Sequence, residues 1–240
     1  MRVTPRALSF DLDDTLWACE EVIDRAERAV YAWLVARHPR ITDEYDREAM
    51  RRLRWELAGE RPHLAVDLTA LRRASLEWHA RRAGYADDAG QELAQQGVAV
   101  FLAERNRVSP YADVRPVLER LARAYPLIAL TNGNADVHAT GLGDLFSLSL
   151  SAGDVGAAKP DPAMFHAACD ALSVRPGELI HVGDDPLRDV HAARRFGARA
   201  VWLNREAQPW PEDLSRAHHE LSTLHDLVAL LPSPSKTSQC

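Results

Sequence analysis

Residues 7–17 read ALSFDLDDTLW, and this stretch decides the fold. The short apolar run 7–10 leads directly into Asp11, Asp13 and Asp14. Apolar runs of this length without strict alternation are typical of strands that are buried on both faces of a parallel sheet. Ligands bind such sheets in the crevice at the carboxyl ends of the strands. We therefore expect the three aspartates to lie where a ligand would bind.

Later in the chain the same kind of apolar run recurs, and helical patterns lie between the runs. The runs occupy residues 126–131, 148–151, 179–183 and 199–204. The helical patterns occupy residues 112–124, 134–143, 161–172 and 186–197. Alternating strands and helices predict an α/β fold with a doubly wound parallel sheet.

The stretch 18–106 breaks this alternation, because its apolar residues recur at helical spacing throughout. Pro39, Pro62 and Gly84 divide the stretch into roughly four helices. We predict an all-helical domain inserted after the first strand. The predicted division is an α/β core over 1–17 and 107–231, a helical insert over 18–106, and a polar, disordered tail over 232–240.

Composition and charge narrow the classes of function. The 240 residues are 46% hydrophobic and carry a formal net charge of −6, so no overall basic field favours nucleic acid or an anionic membrane surface. The three cysteines are widely spaced and suggest no disulfide framework. The beginning of the chain resembles neither a signal peptide nor a membrane span. A cytoplasmic enzyme acting on a small molecule fits these features, and the sequence leaves its oligomeric state open.

A second acidic group follows the predicted strand 179–183. Asp184 and Asp185 come directly after that strand, and Asp189 lies one turn into the next helix. Like charges a few ångströms apart repel, and a divalent cation offsets that repulsion. Carboxylate and carbonyl oxygens are ligands that suit Mg²⁺. The two acidic groups together predict a magnesium site at the carboxyl edge of the sheet.

Between the acidic groups lie residues suited to a phosphoryl group. Thr131 offers a hydroxyl, the turn at Asn132 offers N–H donors, and Lys159 offers a positive charge beside a helix start. Each of these features alone is most often a turn or a capped helix. Their order along one parallel sheet makes the combination indicative of phosphoryl transfer.

The segments DLDDT, TN, KP and GDDPLRD resemble the four motifs of the haloacid dehalogenase superfamily. The resemblance spans essentially the whole chain, with the helical insert in the place of that superfamily's first cap domain on a Rossmann-like core. It implies that Asp11 is the nucleophile, which forms an aspartyl-phosphate, and that Asp13 acts as general acid and then as base. It implies phosphoryl-binding roles for Thr131, Asn132 and Lys159.

The same resemblance implies a bound Mg²⁺. The implied ligands are the Asp11 carboxylate, the Asp13 carbonyl and Asp184, with Asp185 or Asp189 in support. Asp14 receives no chemical role, and we expect it to form hydrogen bonds within the turn or to residues that surround the metal ligands. Dehalogenases of the superfamily lack the aspartate found here as Asp13, which favours a phosphatase. A phosphomutase, a sugar-phosphate phosphatase and, less well supported, a phosphate-sensing Mg²⁺-binding module stay open.

Within the superfamily, SFDLDDTLW, IALTNGNADV and LIHVGDDPLRDV resemble bacterial flavin mononucleotide phosphatases. A neighbouring activity of that subgroup is dephosphorylation of the phosphoribitylaminouracil intermediate of riboflavin synthesis. We therefore expect flavin mononucleotide or a related ribityl phosphate as substrate. Trp17, at the hinge between core and insert, is a candidate substrate contact. Trp33, Trp55 and Trp78 lie in the insert, where Trp33 and Trp78 are expected to pack in its core.

Overall fold

The computed structural model describes residues 4–231, so the tail predicted at 232–240 lies outside the described residues. A six-stranded sheet runs through the described part in the order β3-β2-β1-β4-β5-β6. All of its strand pairs are parallel, which confirms the predicted fold class. The strands are β1 Ala7–Phe10, β2 Leu127–Thr131, β3 Leu148–Ser151, β4 Leu179–Gly183, β5 Arg199–Leu203 and β6 His219–Leu221.

Both faces of the sheet are covered, which explains why its central strands are short runs of mostly apolar residues without strict alternation. Side chains of β1 pack on opposite faces of the sheet. Leu8 and Phe10 belong to one core cluster, and Ala7 belongs to the other. Helices from the later part of the chain cover the two faces. They are α7 Val114–Ala122, α8 Ala152–Val155, α9 Ala163–Leu172, α10 Ala192–Phe196 and α11 His225–Leu230.

Two sequence expectations about the core need correction. The helix predicted over 134–143 is a series of turns, followed by a short 3₁₀ turn at Gly143–Leu145. The Asp136 carboxylate accepts a hydrogen bond from the backbone of His138, and Gly141 has a left-handed φ of 80°, so side-chain bonds and glycine replace the helix. The pattern over 186–197 is a π-helical segment, Pro186–His191, followed by α10. The short, partly exposed β6 gave no apolar signal.

The insert between β1 and α7 is helical, as predicted, with four long helices and two single-turn helices. They are α1 Cys19–Arg37, α2 Pro39–Thr42, α3 Arg47–Glu60, α4 Pro62–Val66, α5 Leu68–Arg82 and α6 Asp87–Arg105. Pro39 and Pro62 begin the two short helices, where a missing N–H costs nothing. The insert has its own hydrophobic cluster, which includes Leu34, Leu76 and Phe101. The boundaries at 17/18 and 106/107 stay predictions.

No helix within residues 4–231 combines the length and apolar character needed to cross a bilayer.

Candidate active site

The carboxyl edge of the sheet brings the two acidic groups together. β1 and β4 are neighbours in register, with Phe10 opposite Val182, so Asp11 and Asp184 leave the sheet side by side. The backbone N–H of Asp11 continues the pairing by donating to the Val182 carbonyl at 2.9 Å. Asp189 joins them, and one carboxylate oxygen from each of the three aspartates lies within 4.8 Å of the others.

Lys159 lies at the centre of this acidic group and is only 3% exposed. Its Nζ donates to Asp11 Oδ1 at 2.7 Å, to Asp189 Oδ1 at 2.6 Å and to the Leu130 carbonyl at 2.7 Å. The Asn132 side chain braces the Lys159 backbone from both sides, accepting from its N–H and donating to its carbonyl, each at 2.8 Å. The predicted phosphate-binding Asn132 thus uses its side chain to place the lysine.

Burial and charge shift the pKa values of these groups. Burial raises the pKa of Asp11 well above its usual range; Lys159 opposes that shift, and Asp189 and Asp184 add to it. Burial and the charge of Asp189 raise the pKa of Asp184 to about 7. A hydrogen bond from the Thr15 hydroxyl, at 2.8 Å, acts in the opposite direction and lowers this pKa. Burial and mutual repulsion therefore disfavour the ionised forms of both carboxyls, and a further cation at the site would offset that cost.

Asp189 differs, because its counter-charges outweigh its burial. Burial alone would raise its pKa, but Lys159 and His181 hold the pKa of this carboxyl well below its usual range. His181 Nε2 lies 3.0 Å from Asp189 Oδ1, and the other ring nitrogen lies 2.9 Å from the Ser9 hydroxyl. A Cβ on residue 183 would collide with the Asp189 carboxylate, so only glycine lets this side chain approach the sheet.

The residues present fit a divalent cation. Three carboxylates share one ammonium group, which leaves negative charge uncompensated, and oxygen donors are those that Mg²⁺ prefers. Of the two residues predicted to support the metal, Asp189 is the one whose carboxylate lies with Asp11 and Asp184. Asp185 instead caps the following helical segment, accepting from the backbone of Leu187 and Arg188 at 2.8 and 2.7 Å. Participation of the Asp13 carbonyl stays a prediction.

The carboxylate of Asp13 is not part of this group of three and is held by two other donors. Trp17 Nε1 donates to Asp13 Oδ1 at 3.0 Å, and Arg105 Nη2 donates to Asp13 Oδ2 at 2.5 Å. Trp17 is fully buried and does not line the adjoining cavity, so it lies as a support under Asp13 and not as a surface for substrate. Arg105, in the last turn of α6, is 1% exposed and was not foreseen. Its only sequence signal is a cation at the end of the insert.

The turn after β2 completes the floor of the site. The buried Thr131 hydroxyl accepts a hydrogen bond from the Gly133 N–H at 2.9 Å. Arg105 Nε donates to Asn134 Oδ1 at 3.3 Å, which ties this turn to the insert. Asp14 has a left-handed φ of 58°, and its carboxylate accepts from the Cys19 N–H at 2.8 Å. It therefore orders the entry into α1, in line with the expectation for it.

A cavity of about 630 Å³ lies between this floor and the insert. Asp13, Arg105 and Gly133 line it from below. The insert contributes a wall of charged and aromatic side chains, among them Arg72 and Trp55. The volume is in the range of pockets for small organic ligands.

A parallel sheet that gathers carboxylates and a lysine under a helical insert defines the class of protein as an enzyme with an α/β core and a cap over its active site. The haloacid dehalogenase-like hydrolase family matches residues 5–197, and the chain belongs to that family.

The family includes relatives of different named activities. The 5-amino-6-(5-phospho-D-ribitylamino)uracil phosphatase YigB of Escherichia coli K12 is 36% identical over 94% of this chain and 95% of its own length. The phosphoserine phosphatase of Thermus thermophilus is 41% identical over about half of each chain, 53% and 52%. A solved structure named 2-haloacid dehalogenase, from Pseudomonas syringae pv. Tomato DC3000, has a TM-score of 0.90 and 37% identity, covering 95% of this chain and 98% of its own.

Proposed function

We propose that the protein is a Mg²⁺-dependent phosphomonoester hydrolase that works through an aspartyl-phosphate on Asp11. The observation that carries this proposal is the position of the Asp11 carboxylate. It lies at a strand end, 2.7 Å from the Lys159 ammonium and within the group of three carboxylates. The phosphatase names of the E. coli and T. thermophilus relatives support it.

In the proposed first step, an Asp11 oxygen attacks phosphorus and the bond to the leaving oxygen breaks. Lys159 reduces the repulsion between the nucleophile and the phosphoryl oxygens, and Thr131 with the turn after it offers hydrogen bonds. A bound Mg²⁺ would neutralise further charge on the phosphoryl group. Splitting hydrolysis into formation and breakdown of an acyl phosphate replaces one difficult step with two easier ones.

Asp13 supplies and removes the protons in this scheme. In its acid form it protonates the leaving alkoxide, and as carboxylate it then takes a proton from the water that attacks the phospho-enzyme. Asp13 follows Asp11 by two residues and lines the cavity, which is where we place the leaving group. Trp17 and Arg105 fix both of its oxygens, so the proton-transfer group is positioned before substrate arrives.

The substrate we propose is a ribityl phosphate, either flavin mononucleotide or the phosphoribitylaminouracil named for the E. coli relative. A cavity of about 630 Å³ accommodates a phosphate ester with a flat ring system. A phosphomutase or a sugar-phosphate phosphatase is the alternative, and dehalogenation is the activity named for the P. syringae structure. Dehalogenases of the superfamily lack the aspartate that serves as general acid, whereas this chain has Asp13 at that position. This difference favours phosphatase chemistry. We also keep a cytoplasmic location as part of this proposal.

A direct test compares wild type with Asp11→Asn on an aryl phosphate, the two ribityl phosphates, a sugar phosphate and a 2-haloacid. Wild type should release phosphate from the esters only when Mg²⁺ is present, and Asp11→Asn should lose at least about 1,000-fold in kcat, about 4 kcal/mol of barrier. Halide release without phosphate release would replace the proposal with dehalogenation. Wild-type turnover by Asp11→Asn would refute the nucleophile.

A further inference from the structure

Three charged side chains form a buried group in the wall of the cavity that the insert provides. Arg54 donates to both carboxylate oxygens of Glu27, at 2.5 and 3.1 Å. Arg72 Nη2 donates to the same carboxylate at 2.8 Å. The three come from α3, α1 and α5, and all three line the cavity. Their side chains are only 13%, 15% and 8% exposed for Arg54, Glu27 and Arg72.

This group carries one positive charge more than a structural ion pair needs. Burial would raise the pKa of Glu27, but its bonds to Arg54 and Arg72 lower it to about 2, so the carboxylate stays ionised. Burial and the neighbouring charge of Arg54 lower the pKa of Arg72 to about 10, which still leaves it protonated at neutral pH. Two guanidinium groups therefore share one carboxylate, and the surplus charge lies where water is scarce. Such a charge is costly unless an acceptor meets it.

An aromatic surface lies beside this charge. Trp55 follows Arg54 on α3 and lines the same cavity, yet 61% of its surface is exposed. Tryptophan is enriched at binding interfaces, because its ring offers a large contact area. Opposite α3, the Arg72 guanidinium lies over the Phe101 ring, 3.3 Å from its centroid, and that ring also lines the cavity. The stacking fixes the plane of the guanidinium.

We propose that Arg54, Trp55 and Arg72 form a subsite that binds the end of the substrate remote from its phosphate, and that this end is a flat ring bearing carbonyl oxygens. The inference rests on the proposed function, because the phosphate has to lie at Asp11, and the cavity meets the core on the side that Asp13 and Gly133 line. A pyrimidinedione ring, which both proposed ribityl phosphates carry, has this chemistry.

The chemistry of the subsite matches such a ring in two ways. A guanidinium group donates N–H bonds to carbonyl oxygens in its own plane, and the surplus charge strengthens them. The indole of Trp55 can pack against the face of a flat ring. A small aliphatic phosphate would use neither contact. The subsite therefore discriminates between leaving groups through contacts that are remote from the phosphorus atom.

The test compares kcat/KM for both ribityl phosphates with that for p-nitrophenyl phosphate and ribitol 5-phosphate. The variants are Arg72→Met, Trp55→Ala and Trp55→Phe, and the control is Arg73→Met. Arg73 is the next residue on α5 and is exposed. Arg72→Met should lower kcat/KM for the ribityl phosphates by about 10- to 100-fold, as expected for one hydrogen bond to a charged group. The two reference substrates should change by less than about threefold.

Trp55→Phe should retain most of the selectivity that Trp55→Ala loses, since a ring remains. The ratio between flavin mononucleotide and phosphoribitylaminouracil shows which ring the subsite prefers. Equal losses on all substrates in Arg72→Met would overturn the subsite while leaving the phosphatase intact. If wild type hydrolyses no phosphate ester, the proposed function fails, but riboflavin binding, measured by fluorescence, still tests the subsite. Loss of riboflavin binding in Arg72→Met but not in Arg73→Met supports the subsite. Equal riboflavin binding by the two variants refutes the subsite. Should Arg72→Met fail to fold, Arg72→Lys replaces it, with the same substrate-selective loss expected.

Discussion

Gly133→Ala tests whether the position of Asp13 limits the reaction. Gly133 follows β2 in the turn below the cavity, and its φ does not demand glycine. A Cβ at this position would lie 2.5 Å from Asp13 Oδ2, 3.0 Å from Arg105 Nη2 and 3.2 Å from the Thr131 hydroxyl. An ordinary van der Waals contact begins near 3.4 Å, so the carboxylate oxygen must retreat by about 1 Å. Arg105 and Trp17 hold the carboxylate and resist that movement.

A displacement of about 1 Å in a positioned group costs on the order of 100-fold in rate. We therefore expect Gly133→Ala to lower kcat for an aryl phosphate by about that factor. Stability should fall by only about 1–3 kcal/mol, as for other overpacked sites. Urea unfolding checks that the variant is folded during the assay.

The matched control is Gly59→Ala, because a Cβ there would meet no atom within 4 Å. Its kcat should equal that of wild type, and its stability should rise slightly because Gly59 lies in α3. If folded Gly133→Ala keeps kcat within about threefold of wild type, then the placement of Asp13 seen here does not matter for the reaction. Such a result would show that close packing around Asp13 does not limit the rate.

Two further predictions concern proton transfer and acid stability. Asp13→Asn should lower kcat more for an alkyl phosphate than for an aryl phosphate, because the poorer leaving group needs the proton; equal losses would contradict its role as the acid. His79 is fully buried with neither ring nitrogen hydrogen-bonded within residues 4–231, and burial, with the charge of Arg54, lowers its pKa to about 4. Because the unfolded chain takes up this proton near pH 6.5, stability should fall by about 3 kcal/mol between pH 6.5 and pH 4, and urea unfolding of His79→Phe should lack that part of the loss.

The sheet was predictable because its strands are buried on both faces. The strands β1, β2 and β4 are short, buried and mostly apolar, and polar residues follow at the carboxyl end of each. The strand β6, which was not predicted, has three residues, of which two are exposed. It therefore has no apolar pattern in the sequence. The false helix at 134–143 arose from apolar spacing alone. The Asp136 carboxylate accepts a hydrogen bond from the His138 N–H, and Gly141 has a left-handed φ; apolar spacing reports neither of these two causes of the turns.

The site was predictable where the chemistry follows directly from a strand end. Asp11, Lys159 and Asp184 come together because parallel strands end at one edge, a property of topology that the motifs carry. The role of Trp17 could not be predicted from its position in the sequence. Its place next to the motif suggested a contact with substrate, yet only the three-dimensional packing shows that its ring is buried and its N–H directed to Asp13.

Arg105 shows that the division of labour between core and insert is not strict. The catalytic motifs belong to the core, and the subsite proposed above places selectivity in the insert. Yet Arg105 ends the last helix of the insert and donates to the carboxylate of Asp13, while its Nε binds Asn134 in the turn after β2. A shift of α6 relative to the sheet would therefore change the partners of the proton-transfer residue. Because the subsite of Arg54, Trp55 and Arg72 lies in the same insert, a ring bound there can favour the position of α6 in which Asp13 is correctly held. Substrates that fill the subsite should therefore show a higher kcat as well as a lower KM.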